Sequence, residues 1–125
     1  MRDIARYFDR IDSLIRHSLV VDDEVTYRQW TSTSGVIEGA LQFHDGSRLE
    51  FTEIVRLIGR EVQKRRYRYQ YLEGNQQVFR YDNAPHHAHL STFPHHRHDE
   101  KGQAMEAEEV SLKEVLDEIG DLLAA

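Results

Sequence analysis

Six of the eight histidines in this chain lie between residues 86 and 98. They occur in two copies of one pattern, Pro-His-His-Ala-His at residues 85–89 and Pro-His-His-Arg-His at residues 94–98. The unperturbed pKa of histidine lies close to neutral pH, so such a cluster can transfer protons, ligate a metal ion, or contact phosphate as imidazolium. We therefore expect the chemistry of this protein to lie in this segment.

A fixed cation and a carboxylate, Arg80 and Asp82, come shortly before the first histidine pattern. Cleavage of RNA without a metal ion needs a base for the 2′-hydroxyl, an acid for the leaving oxygen and a cation near the phosphate. One histidine from each copy, with Arg80 as the cation, would supply all three groups. Asp82 or Glu53 could orient an imidazole. The candidate catalytic residues are therefore Arg80, Asp82, His86, His87, His95 and His96.

The segment ahead of the histidines is rich in basic and aromatic residues. Six cations and two acids lie between Arg60 and Arg80, whereas residues 99–125 carry nine acids and two lysines. A basic stretch beside a histidine cluster can attract phosphate, although a solvated strand face would carry the same charges. Tyrosine rings could stack on a base or donate a hydrogen bond. The candidate substrate-binding residues are Arg66, Arg68, Tyr69 and Tyr81.

Other uses of the histidines stay open at this point. Neutral imidazole is a common metal ligand, yet adjacent histidines on a strand point to opposite sides and no spacing matches a helical pair such as His-Glu-X-X-His. The chain has no cysteine, so any metal would need histidine and carboxylate ligands. We expect no metal and no other cofactor. A non-catalytic nucleic-acid or nucleotide binding module, a histidine-based metal-binding protein, or histidines that merely satisfy loop backbone groups are the alternatives.

Length and composition set the scale of the fold that must position these groups. With 125 residues, of which 39% are hydrophobic and 30% charged, the chain is long enough for one core and too short for two ordinary domains. It has no apolar run typical of a leader or a membrane span. We expect a single cytoplasmic domain over residues 1–125 with no membrane partner.

Hydrophobic periodicity predicts an α+β fold, with an antiparallel β-meander of about five strands between two helices. Apolar residues three and four apart predict an N-terminal helix over residues 3–16. A capping box formed by Ser111 and Glu114 predicts a C-terminal helix over residues 111–124. Period-two and β-branched runs predict strands near residues 20–30, 35–44, 48–57, 61–72 and 77–83. Residues 84–102 show no periodicity and are expected to form one long loop.

Strand register decides which candidate residues can meet. If the turn at residues 45–47 has odd length or carries a bulge, Glu53 points to the same side as Leu49 and Phe51, and it must then be paired, protonated or functional. A strand that ends before Glu53 would instead leave it in water. A two-residue turn at Gly74-Asn75 pairs Tyr69 with Arg80, which would place Arg80 on the tyrosine face; a three-residue loop would invert this.

Three strings of residues resemble the TumE family of small prokaryotic proteins. They are Tyr-Arg-Tyr-Gln-Tyr at 67–71, Phe-Arg-Tyr-Asp-Asn-Ala-Pro-His-His at 79–87 and Ser-Thr-Phe-Pro-His-His-Arg-His at 91–98. The resemblance extends roughly from residue 49 to the C-terminal helix. Ala88-His89 departs from the family pattern, so His89 ranks below the other histidines. The positions that match are Arg80, Tyr81, Asp82, Asn83, Pro85, His86, His87, Phe93, Pro94, His95, His96 and His98.

The resemblance to this family implies a toxin from a toxin–antitoxin pair. Such a protein inhibits growth and is held inactive by a partner encoded beside it, often a small DNA-binding antitoxin, so a hetero-oligomer with that antitoxin is expected. Small toxins of this size most often cut RNA, which favours the ribonuclease interpretation with RNA as substrate. The resemblance carries over positions and no catalytic mechanism.

Overall fold

Two helices, α1 (Ile4–Arg16) and α2 (Leu112–Ala124), lie at the two ends of the region that the computed structural model describes, residues 3–125. Between them each strand pairs antiparallel with the next along the chain, so the sheet is a meander in sequence order. The predicted α+β class is confirmed, but residues 3–125 form seven strands and not five. They are β1 (Asp22–Thr31), β2 (Ser34–Gln42), β3 (Arg48–Ile58), β4 (Glu61–Glu73), β5 (Gln76–Asp82), β6 (His96–His98) and β7 (Ala104–Glu106).

Both helices pack on the same face of the sheet. Their apolar residues recur at three- and four-residue spacing, which gives each helix one apolar side. That side joins the alternate inward residues of the strands in one buried cluster, because successive strand side chains point to opposite faces. The helix contribution to the cluster is Ile4, Phe8, Ile11, Ile15, Leu112, Val115, Leu116 and Ile119. The second face of the sheet is left without a helix over it.

Within residues 3–125, no helix is both long and apolar enough to cross a membrane.

The β2–β3 hairpin turns Glu53 into the core. Leu41 pairs with Leu49, and Ile37 pairs with Glu53. Glu53 is 0% exposed, so the alternative in which the strand ends early and leaves this carboxylate in water is wrong. Its two carboxylate oxygens accept hydrogen bonds from the hydroxyls of Tyr7 and Tyr69. A buried carboxylate needs such partners, because an unpaired one is costly to remove from water.

The predicted register of the β4–β5 hairpin is wrong beyond its first pairs. Leu72 pairs with Gln77 as expected, but the register then shifts, so Tyr71 lies opposite Phe79 and Tyr69 opposite Tyr81. The physical cause is a β-bulge, in which Val78 is an extra residue on β5. The shift moves Arg80 and Asp82 off the tyrosine face and onto the uncovered face of the sheet.

The predicted long loop over residues 84–102 is interrupted by one short strand, β6, and a second short strand, β7, follows the end of that loop. β6 pairs with β5 and β7 pairs with β6, so only residues 83–95 connect β5 to the next strand irregularly. Strands of three residues are too short to give a period-two signal in the sequence. What stabilises β6 is cross-strand chemistry, because its pairs set Arg80 opposite His98 and Asp82 opposite His96.

Candidate functional site

A cavity of about 440 Å³ opens on the uncovered face of the sheet, over β4, β5 and β6. Its wall combines strand residues with the first histidine pattern, which the 83–95 connection brings back over the sheet. The lining residues are Thr52, Arg66, Tyr67, Arg68, Arg80, Asp82, Ala84, His86, His87, His96 and His98. Seven of the ten candidate site residues therefore meet at one place, namely Arg66, Arg68, Arg80, Asp82, His86, His87 and His96.

Asp82 is the centre of the hydrogen-bond network in the cavity floor. Its side chain is 7% exposed. One oxygen accepts from Arg80 Nε at 2.9 Å, and the other lies 2.9 Å from His96 Nε2 and 3.0 Å from the amide nitrogen of Ala84. The carboxylate thus orients a guanidinium and an imidazole and fixes the start of the histidine-bearing connection.

The two histidines of β6 face different hydrogen-bond partners. His96 Nδ1 lies 2.9 Å from the carbonyl oxygen of Pro94, and its Nε2 faces the Asp82 carboxylate. Both partners accept, so the imidazolium form of His96, which has two N–H donors, satisfies this geometry in full. His98 Nδ1 donates to the carbonyl of Gly102 at 3.1 Å, and its Nε2 accepts from Arg80 Nη2 at 3.0 Å.

His87 has a backbone conformation that breaks the alternation of side chains. Its φ is +61°, in the left-handed region that non-glycine residues seldom adopt. As a result, the adjacent His86 and His87 both line the cavity, with ring centroids 6.5 Å apart. Partial burial, followed by the neighbouring imidazoles of His96 and His98, lowers the pKa of His87 below its ordinary value of 6.5. His87 is therefore an accessible imidazole of this site with a lowered pKa.

Three guanidinium groups give the cavity a positive rim and floor. Arg66 and Arg68 are exposed on β4, and the Arg80 side chain is held in the floor by Asp82 and His98. Positive groups clustered in a concave site concentrate anions such as phosphate. The predicted basic surface is therefore directed at the histidines.

Asn83 anchors the connection that carries His86 and His87. The residue is 7% exposed, and its side chain accepts a hydrogen bond from the Tyr67 amide nitrogen at 2.9 Å and donates one to the Arg65 carbonyl at 3.1 Å. It thereby ties the end of β5 to β4. Asn83 is one of the positions that match the family pattern, but no role could be predicted for it from the sequence.

Three candidate site residues lie away from the cavity, on the side of the sheet that the helices cover. Tyr69 is 0% exposed and donates to Glu53 at 2.5 Å. Tyr81 donates to Glu118 of α2 at 2.7 Å. His95 Nδ1 shares a hydrogen bond of 3.0 Å with the hydroxyl of Tyr67, and its ring stacks on that tyrosine.

His98 lines the cavity although it was not among the candidate residues. It is separated from His96 by one residue, and on a strand that spacing puts both side chains on the same face. Recognising residues 96–98 as a strand would have found it. Together with His87 these two histidines form a possible metal-ligand set, since one ring nitrogen of each lies within 4.8 Å of the others.

The family model described as Toxin TumE matches residues 8–123 of the chain. Comparison with curated proteins and with solved structures gave no significant match. The matched residues include most of α1, all seven strands and the whole cavity wall. A toxin of this kind has a cognate antitoxin. The chain therefore belongs to the TumE family of toxins.

Proposed function

We propose that the protein is a ribonuclease-like toxin that cleaves RNA in the cavity by histidine acid–base chemistry, without a metal cofactor. The observation that carries this proposal is the meeting of three guanidinium groups with two accessible, adjacent imidazoles at one concave site. The proposed action takes place on cytoplasmic RNA and inhibits growth.

The geometry supports a division of roles between His86 and His87. His87, whose pKa is lowered, takes the proton from the 2′-hydroxyl, and the resulting oxyanion attacks the adjacent phosphorus. The bond from phosphorus to the 5′-oxygen breaks, and the exposed His86, as imidazolium, protonates that leaving oxygen. The products are a 2′,3′-cyclic phosphate and a 5′-hydroxyl end. The proposed reaction therefore needs no redox partner and no metal ion.

Arg80 and the groups that hold it supply the charge stabilisation. Negative charge grows on the phosphate oxygens as the 2′-oxygen attacks, and a fixed cation is most effective when it is already oriented. Arg80 is oriented by Asp82 and His98 before substrate arrives. His96 lies beneath this group, 2% exposed, so its proposed part is to hold Asp82 and to add positive potential.

The test is RNA cleavage by purified protein freed of its antitoxin. Replacing His87 or His86 with glutamine should lower the cleavage rate by about 10²–10⁴-fold, the usual contribution of general acid–base catalysis. His89→Gln is the matched control, because His89 belongs to the same pattern but does not line the cavity. If the protein halts growth yet cuts no RNA in cells or in vitro, the ribonuclease proposal fails and the toxin role stands.

A nucleic-acid or nucleotide binding module is the second candidate function. It is favoured by the basic residues of β4, since Arg66 and Arg68 line the cavity independently of the histidines. Replacing His86, His87, His95 and His96 together with glutamine separates the two functions. Turnover should collapse, while binding held by Arg65, Arg66 and Arg68 should persist. Equal binding with no turnover in the unsubstituted protein would favour the binding module.

The proposed partner is a small DNA-binding antitoxin encoded beside the toxin, which forms a hetero-oligomer with it. The outer side of α2 offers a surface of suitable charge, because Glu114, Asp117 and Asp121 are exposed there. Acidic groups of this kind attract a basic segment and speed its association. Co-purification of the product of the neighbouring reading frame, weakened by salt, is the expected result.

A further inference from the structure

Three imidazoles converge at the inner end of the cavity. The ring centroids of His87, His96 and His98 lie 4.9–5.5 Å from one another, and one ring nitrogen of each lies within 4.8 Å of the others. Ligand nitrogens of a tetrahedral zinc site are about 3.3 Å apart, given zinc–nitrogen distances of about 2.0–2.1 Å. The three nitrogens therefore have to approach one another when a metal binds, and His87 lies on the irregular connection, whereas His96 and His98 are held in a strand.

The two strand histidines already have the outer hydrogen bonds of metal ligands. His96 Nδ1 and His98 Nδ1 each face a backbone carbonyl oxygen, that of Pro94 at 2.9 Å and that of Gly102 at 3.1 Å. Metal-bound histidines are generally held in this way, through the nitrogen that does not touch the metal. This arrangement directs both Nε2 atoms towards Asp82, at 2.9 and 3.7 Å.

Arg80 contacts two of the groups that a metal ion at this site would use or adjoin, His98 and Asp82. Its Nη2 donates to His98 Nε2 at 3.0 Å, and its Nε donates to Asp82 at 2.9 Å. A metal bound to His98 needs the same nitrogen lone pair, and two cations at this spacing repel one another. The guanidinium and a divalent ion therefore exclude each other.

We infer that a divalent transition ion such as Zn²⁺ binds His87, His96 and His98, with Asp82 as the carboxylate neighbour, and that it displaces Arg80. In this complex His96 Nε2 is a ligand, and His96 Nδ1 keeps its contact with the Pro94 carbonyl. The ion then occupies His87, the proposed general base, and displaces Arg80, the anion-binding cation that cleavage uses, so the site is a metal-dependent off-switch. The inhibitory part of this inference rests on the proposed ribonuclease function, whereas the binding part does not.

Calorimetric titration of untagged protein with zinc chloride tests the binding part. We expect one equivalent of zinc to bind, with affinity reduced at least about tenfold in His98→Gln and unchanged in the control His89→Gln. The sharper variant is Arg80→Gln, which removes the competing charge and should bind zinc roughly tenfold more tightly. This gain cannot come from misfolding. Unchanged affinity in both His98→Gln and Arg80→Gln would overturn the site.

Cleavage assays with the same protein separate this inference from the proposed function. Stoichiometric zinc should abolish RNA cleavage, and a chelator should restore it. If metal-free protein cuts no RNA while calorimetry still shows the zinc site, the ribonuclease proposal fails and the metal site stands. If cleavage requires zinc, or proceeds equally with the site filled, the off-switch is overturned.

Discussion

At the level of single residues, partners in space decide roles more than residue type does. His95 and His96 are neighbours in the chain, yet His95 bonds to Tyr67 on the helix-covered side and His96 to Asp82 in the cavity floor. Arg97, on the same side as His95, donates to Glu118 of α2 at 2.8 Å. The number of histidines in the sequence thus overstates how many can contact a substrate, since only His86 and His87 are accessible imidazoles in the cavity wall.

Replacing Tyr69 with phenylalanine tests whether this tyrosine serves the core or the substrate. Its hydroxyl donates to Glu53 and lies 2.8 Å from Lys64 Nζ. Removing it leaves buried polar groups short of a partner, which should lower the free energy of unfolding by about 1–3 kcal/mol, measured by urea denaturation. RNA affinity should stay the same. A loss of affinity without a loss of stability would return Tyr69 to the substrate-binding group.

At the level of elements, the connection between β5 and β6 determines whether the accessible histidines reach the cavity. Asn83 and the Ala84 amide fix its first residues, through bonds to β4 and to Asp82. The histidine pattern beyond them then folds back over the sheet, with Leu90 donating to the His87 carbonyl. The site is therefore built on two anchors at one end of a strand.

Replacing Asn83 with alanine should loosen this connection more than it unfolds the protein. The change removes two hydrogen bonds to the backbone of β4, worth about 1–3 kcal/mol when the remaining groups stay buried. Hydrogen exchange should accelerate in residues 84–95, and RNA cleavage should fall with it. Asn75→Ala, in the exposed β4–β5 turn, is the control. Unchanged exchange in residues 84–95 would show that Asn83 does not hold the connection.

The helices and strands with a hydrophobic period could be predicted from the sequence, whereas the strands without one could not. The boundaries of α1, α2 and the first five strands follow the predicted ones within a few residues, because each has an apolar side to bury. β6 and β7 have no apolar side and exist through pairing alone. No local sequence pattern predicts the bulge at Val78. From the sequence, the face of the sheet that bears Arg80 could therefore be stated only as depending on the length of the β4–β5 loop.

At the level of the whole molecule, the buried tyrosines link stability to alkaline pH. Burial and the nearby Glu53 carboxylate raise the pKa of Tyr7 and Tyr69 above the ordinary value of 10.0. Burial also raises the pKa of Tyr67. These hydroxyls stay protonated in the folded protein when the unfolded chain has already ionised. Their contribution to stability is complete below pH 10.0 and is lost as pH rises above it.

Urea denaturation between about pH 10.5 and pH 12 measures this loss. Burial lowers the pKa of Lys64 from 10.5, which makes stability rise with pH up to that value, so the tyrosine effect is clearest above it. Each tyrosine protonated only in the folded state contributes about 1.4 kcal/mol per pH unit. Tyr7→Phe should reduce the slope by that amount. An identical slope in this variant would contradict the role given to Tyr7.

The pairing of β5 with β6 has a consequence for genetics. Across β5 and β6, Arg80 pairs with His98 and Asp82 pairs with His96. The same four residues line the cavity. A substitution at one of these positions removes a side chain that lines the cavity and, with it, a cross-strand side-chain contact. Among spontaneous mutants that survive expression of this toxin without its antitoxin, substitutions should therefore concentrate in residues 80–82 and 96–98. One base change there damages both the cavity and the pairing of β5 with β6.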